Sequence, residues 1–137
     1  MTKSSALHMN QSFGKKYKLC SKILIESLFK EGKSVKSFPY TLLYLKQENS
    51  EDVPFQMVIS APKKINRHAH DRNRIKRVTR EAIRKNKFIL EDFLIETNQQ
   101  LAIFLVCTAK EELSTDQMDK KITKLFSQLI EKLQHDH

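Results

Sequence analysis

Glycine, cysteine and tryptophan are scarce in this chain: two glycines, two cysteines and no tryptophan among 137 residues. Glycine usually makes up about 7% of a globular sequence. Its near-absence leaves the turns to Asn, Asp, Ser and Pro, and excludes a phosphate-cradling Gly-rich loop or a Gly/Pro-rich linker. Cys20 and Cys107 have neither metal-ligand spacing nor a disulfide pattern, and read as two reduced thiols of a cytoplasmic protein. No run approaches the ~20 apolar residues that span a bilayer; the longest are short, such as Ile103–Cys107. Met1–Asn10 is polar and lacks the apolar core of a secretory signal. Internal repeats, low-complexity segments and a GxSxG element are also missing. What remains is one domain of ordinary size, able to bury roughly two-thirds of its unfolded surface without staples. Residues 1–14 read as a loose tail and 15–137 as the domain.

Hydrophobic periodicity sketches the elements. Leu24, Ile25, Leu28 and Phe29 give Ser21–Glu31 the stripe of a helix, with Ser21 as its cap and Gly32 placed for a left-handed C-terminal residue. Tyr40–Leu45 and Phe55–Ser60 read as strands, separated by the polar turn Gln47–Asp52, and Pro62 stops the second. Residues 72–90 form a helix and Leu101–Thr108 a buried strand. From Thr115 a last helix sets Met118, Ile122, Leu125, Phe126, Leu129, Ile130 and Leu133 on one side. That stripe suits packing on the sheet; the alternative is a partner-binding helix. The order implies an α+β fold, a small sheet with helices on one face.

Charge is distributed unevenly. Residues 1–62 carry a net +4, residues 63–87 a net +9 and residues 88–137 a net −4, so the middle segment alone holds a surplus equal to that of the whole chain. Such concentration points to a polyanionic partner. At ~100° per residue, Asn73, Arg77, Arg80, Arg84 and Lys87 fall within an arc of about 80°. Ile75, Val78 and Ala82 lie opposite and would dock the helix. Lys63, Lys64 and Arg67 lie in the approach, and Asp71 is placed to cap the helix. Arginine predominates in the stripe, and its planar fork can hold two phosphate oxygens or stack on an unpaired base. Only Glu81 interrupts it, where a merely solvated face would intersperse acidic partners. The segment from Arg72 to Lys87 therefore reads as an RNA-binding helix.

Little here supports intrinsic catalysis. His68, His70 and Asp71 are the only cluster reminiscent of a metal-dependent nuclease, but histidines two apart face different sides of a helix and no second carboxylate set accompanies them. The residues leave open a subunit of a larger ribonucleoprotein, a general RNA-binding module such as a chaperone, and a self-sufficient nuclease. Tyr17, Tyr40 and Tyr44 suit either the core or an RNA surface.

The run Arg72-Asn73-Arg74-Ile75-Lys76-Arg77-Val78-Thr79-Arg80-Glu81-Ala82 closely resembles the signature helix of the bacterial ribonuclease P protein component. Lys63-Lys64 matches the paired lysines after the preceding strand. Leu28-Phe29-Lys30-Glu31-Gly32-Lys33-Ser34-Val35 resembles the exit of that family's first helix. The three motifs occur in family order across roughly residues 17–130. Departures are the glycine-free loop Ile65–Asp71, Ser60-Ala61-Pro62 in place of a Ser-x-Ser strand end, and Ile25 where the family often carries Phe.

The resemblance implies an α+β fold with a mixed sheet of about four strands, three helices and a left-handed βαβ crossover around the basic helix. It implies a subunit of ribonuclease P, the endonuclease that removes the 5′ leader in tRNA processing. The partners would be a catalytic RNA subunit and the precursor tRNA leader, with no membrane and no small-molecule substrate. The protein itself would bind no cofactor; magnesium would act within the RNA-containing holoenzyme. Carried over, Arg72, Asn73, Arg74, Lys76, Arg77 and Arg80 would face the RNA subunit with Lys63 and Lys64 beside them, and Arg67 and Arg84, read from the charge pattern, would join them in binding RNA. Phe29, Tyr40 and Tyr44 would line a leader cleft between the first helix and the sheet, and no residue would be catalytic.

Overall fold

The computed structural model describes residues 14–48, 52–109 and 114–135. The tail expected over residues 1–14 therefore lies, except for Gly14, outside the described residues, as does the middle of the turn expected at Gln47–Asp52.

After a 3-10 turn at Lys15–Tyr17 comes helix α1 (Lys22–Glu31), where the Ser21 hydroxyl accepts the Leu24 N–H at 3.3 Å. Gly32 follows, but in extended backbone (φ −66°) and not in the left-handed region expected. Its requirement is steric: a Cβ would run into the Leu28 carbonyl oxygen, which accepts the Gly32 N–H at 3.0 Å. Strands β1 (Lys33–Ser37), β2 (Tyr40–Lys46) and β3 (Phe55–Ser60) precede helix α2 (Ala69–Glu96), strand β4 (Leu101–Cys107) and helix α3 (Thr115–His135). Three helices thus join a four-stranded mixed sheet of order β1-β2-β4-β3, with β3 and β4 parallel and the other pairs antiparallel.

Periodicity does not predict strand β1. Lys33-Ser-Val-Lys-Ser has a single strongly apolar residue, Val35, and its two lysines belong to an exposed edge. Helix α2 is longer than expected at both ends. Its N-cap position is His68, without a side-chain cap bond, and Asp71 sits inside the first turn, near the positive end of the helix dipole.

Register assigns the two faces of the sheet. Tyr40, Leu42 and Tyr44 of β2, with Ile103, Leu105 and Cys107 of β4 and Phe55 and Met57 of β3, form the main core under α2 and α3. Met118, Ile122, Leu125, Phe126, Leu129 and Leu133 complete that core, so the apolar side of α3 packs internally. On the opposite face α1 packs through Leu24, Ile25 and Leu28 against Leu43, Leu45, Ala102 and Phe104. Helices therefore cover both faces, and the one-face layout is corrected. A central strand with apolar residues on both sides does not reveal from sequence how many layers flank it.

Burial holds the Tyr17 and Tyr40 phenols well above their ordinary range; the Tyr17 hydroxyl donates to Glu91 Oε2 at 2.8 Å, and the Tyr40 hydroxyl pairs with Thr79 Oγ1 at 2.9 Å. A phenol whose folded pKa is raised contributes stability that is intact below the unfolded value of about 10 and is lost as pH climbs above it. Each tyrosine should add about 1.4 kcal/mol of destabilisation per pH unit in that window. Denaturation midpoints at stepped alkaline pH, with tyrosinate absorbance as a second probe, check this. Tyr40→Phe should shed one tyrosine's share of the slope, and an unchanged slope would contradict the assignment.

Candidate nucleic-acid interface

Helix α2 projects a basic surface from its N-terminal half because its other side is committed to the core. Thr79, Ala82 and Ile83 are buried there, and Ile75 and Val78 pack beside them. Asn73, Arg74, Arg77 and Arg80 are exposed, as are Lys63, Lys64 and Arg67 in the approach loop; Arg72, Lys76 and Arg84 are half-buried. The expected basic stripe is present in this half of the helix.

Three basic side chains have engagements that a helical wheel does not anticipate. Arg72 Nη1 donates to the backbone carbonyls of Asn66 (3.1 Å) and Arg67 (2.9 Å), so it organises the loop that carries the other cations. Asn66 in turn donates to the Ala109 carbonyl at 2.8 Å, fastening that loop to the end of β4. Arg84 forms an ion pair with Glu81 one turn back, and its guanidinium holds the Glu81 carboxyl below the usual range. Lys87 leaves the stripe altogether. It is 2% exposed, and its Nζ lies 2.7 Å from Glu91 Oε1 and 3.1 Å from the Tyr17 hydroxyl, 4.7 Å from the centre of that ring. Past Ala82 the buried side of α2 shifts around the axis to take in Lys87, Leu90, Glu91 and Leu94. The exposed basic stripe accordingly stops near Arg84.

The cleft expected beside α1 keeps one of its three aromatic residues. Phe29 is 61% exposed, and its ring meets Phe104 edge-on at 4.9 Å. Tyr40 and Tyr44 are 1% and 2% exposed and belong to the main core on the opposite side of the sheet, which corrects their assignment to a surface cleft. Alternation explains this: Leu43, between them in register with Phe104, is the residue that faces α1. Tyr17 is a core residue too.

Beyond Phe29 and Phe104 the α1 side of the sheet ends in a cross-strand row, Lys36, Thr41, Val106 and Ser60, none of them buried. Sequence reasoning misses Phe104 and Lys36. Phe104 lies in a continuous apolar run whose two faces look alike, and Lys36 lies on the strand that periodicity does not mark. From the end of this row β3 leads out of Ser60, through the approach loop, into the first turns of α2 at Ala69. An aromatic, partly open sheet surface and a rigid basic helix thus share one end of the protein. That combination can hold a single strand by stacking and a folded polyanion by ion pairing.

Among the described residues, no three His, Cys, Asp or Glu side chains come together as a metal site, and His68 and His70 are exposed at the start of α2. Cys20 is exposed and Cys107 buried, both as free thiols. No described helix is long and apolar enough to cross a membrane.

Comparison with known proteins agrees with the motifs. The family model described as Ribonuclease P matches residues 13–130. The ribonuclease P protein component of Macrococcus caseolyticus is 33% identical over 124 residues, covering 85% of this chain and 97% of that protein. The Porphyromonas gingivalis component is 34% identical over 87 residues, covering 64% of each. In structure, the Staphylococcus aureus RNase P protein superposes with a TM-score of 0.64 at 22% identity, over 82% of this chain and 94% of that one. The Thermotoga maritima RNase P protein gives 0.62 at 24% identity, over 81% and 96%. With the basic side of its signature helix exposed, its fold shared and residues 13–130 matched, this chain belongs to the ribonuclease P protein-component family.

Proposed function

We propose that this chain is the protein subunit of a ribonucleoprotein that removes the 5′ leader from precursor tRNA in the cytoplasm. The RNA subunit performs the phosphodiester hydrolysis with magnesium bound in the holoenzyme, and the protein contributes no catalytic group. The observation that carries this reading is the exposed series Arg74, Arg77 and Arg80 on a helix whose opposite side is locked into the core, continued by exposed Lys63, Lys64 and Arg67 in the loop that leads into it. Lys76 and Arg84 flank that series and Asn73 lies within it. Side chains fixed on a rigid helix lose little freedom when they meet phosphates, so the ion pairs contribute more of their attraction to binding.

The leader lies across the α1 side of the sheet. There Phe29 and Phe104 offer ring surface and the Lys36–Ser60 row continues the path. Stacking tolerates any base, which suits leaders of varied sequence.

Cleavage of precursor tRNA at low magnesium tests the reading, using the protein alone, the cognate RNA alone and the mixture. Efficient cleavage only by the mixture is the expected result. A protein that changes nothing would favour a general RNA-binding module, and one that cleaves alone would make His68 and His70 catalytic candidates. Phe29→Ala should weaken binding of leader-bearing precursor by about fivefold or more, with mature tRNA unaffected; equal effects on both would remove Phe29 from the leader path.

A further inference from the structure

We infer that Phe38 is a second stacking platform, receiving an unpaired RNA base where the sheet surface meets the basic loop. The inference rests on the RNA-binding reading above and assigns a contact that neither the signature helix nor the α1 cleft contains. Phe38 is the most exposed aromatic side chain among the described residues, at 69%. It stands in the turn between β1 and β2.

Register shows what surrounds that turn. Ser37 pairs with Tyr40, Tyr40 with Cys107, and Val106 with Ser60. The β1–β2 turn therefore lies at the same end of the sheet as the exits of β3 and β4. Hydrogen bonds make this end one continuous rim. Thr108 donates to the Pro39 carbonyl through its N–H (2.8 Å) and its hydroxyl (3.1 Å). Asn66 holds the next carbonyl, Ala109, at 2.8 Å, and Arg72 holds Asn66. On the other side of the turn, Tyr40 meets Thr79 of the basic helix at 2.9 Å.

The rim thus anchors the backbone that carries Phe38 at the same end of the sheet as the loop that bears Lys63, Lys64 and Arg67. At the usual strand spacing the turn stands roughly 12 Å from the end of β3, a gap that a couple of nucleotides can bridge. Lys36, two residues before Phe38, faces the sheet surface along which a strand would arrive. A large exposed apolar ring in water gains little, whereas a ring on the same rim as a group of cations suits a short single strand, with one base on the ring and a phosphate a couple of nucleotides along on the cations.

Absence of tryptophan makes the test direct. Phe38→Trp introduces a sole indole at the rim, and Gln134→Trp introduces one at the exposed far end of α3, where neighbouring Lys132 reaches Ser34 near the start of β1. A short single-stranded oligoribonucleotide of mixed sequence is titrated into each full-length variant at low salt. Quenching of the Phe38→Trp emission with the Gln134→Trp emission unchanged is the expected result. In a separate binding assay Phe38→Ala should bind about fivefold or more weakly, with Phe38→Tyr close to wild type.

Bound oligonucleotide that leaves the Phe38→Trp emission unquenched, with wild-type affinity in Phe38→Ala, would overturn the inference; cleavage by the reconstituted mixture would then still uphold the proposed function. A wild-type chain that binds no oligonucleotide at low salt would overturn the inference and the single-strand part of that function together.

Discussion

Lys87→Met should cost about 3–5 kcal/mol of folding stability, the largest loss expected from any basic residue among those described. Lys87 and Glu91 are 2% and 0% exposed, one helical turn apart, with the Tyr17 hydroxyl closing a three-member cluster. Removing the ammonium leaves the buried Glu91 carboxylate with the Tyr17 hydroxyl as its side-chain donor. A buried charge deprived of its partner is far more costly than the pair itself is favourable. Urea denaturation of Lys87→Met gives the number, and a loss under about 1 kcal/mol would mean that water reaches the pair. The combined variant Tyr17→Phe, Lys87→Met, Glu91→Leu removes every polar member and should recover most of the loss. Its RNA affinity should keep the wild-type salt dependence, because Lys87 faces no solvent. That separates this lysine from the arginines it accompanies in sequence.

The cluster also explains why the basic helix presents one face. Residues 15–19 lie along the edge of β3, where Gln56 donates to the Lys16 carbonyl at 2.9 Å and the Leu19 N–H to the Met57 carbonyl at 3.2 Å. Tyr17 then reaches the second half of α2. Rotating α2 about its axis would break the buried cluster and the Tyr40–Thr79 contact together. The azimuth of Arg77 and Arg80 is therefore set by side chains elsewhere on the same helix.

Several features are legible from sequence for definite physical reasons. The α3 stripe is long and unbroken, the charge surplus of residues 63–87 is local, and Ile75, Val78 and Ala82 mark an inward side. The signature helix adds the family. Other features depend on three-dimensional context. Lys87 shares its angular position with the arginines, and only Glu91 one turn later, with Tyr17 from 70 residues earlier, turns it inward. Tyr40 and Tyr44 are amphipathic rings in a strand apolar on both sides, so alternation does not say which side is open. β1 is a polar edge strand held in place by pairing with β2. Arg72 reads in sequence as another phosphate ligand, yet its short reach back to residues 66 and 67 makes it a brace for the loop.

Arg77→Ala with Arg80→Ala should flatten the salt dependence of binding to the proposed RNA subunit more than Arg72→Ala with Arg84→Ala does. Both side chains are exposed on one side of α2, whereas Arg72 braces the loop and Arg84 is paired with Glu81. Removing one phosphate contact lowers the slope of log affinity against log salt concentration by roughly 0.7–0.9, so the pair should lower it by about 1.4–1.8. The same change weakens binding most at low salt and least at high salt, where counterion release contributes little. Arg72→Ala should behave differently. Freed from Arg72, the loop would present Lys63, Lys64 and Arg67 less rigidly, lowering affinity mainly through ordering entropy with a smaller change of slope. Binding titrations across a salt series separate the two cases. An unchanged slope in the double variant would take Arg77 and Arg80 out of the interface, and a slope that falls equally in Arg72→Ala would make Arg72 a phosphate ligand in its own right.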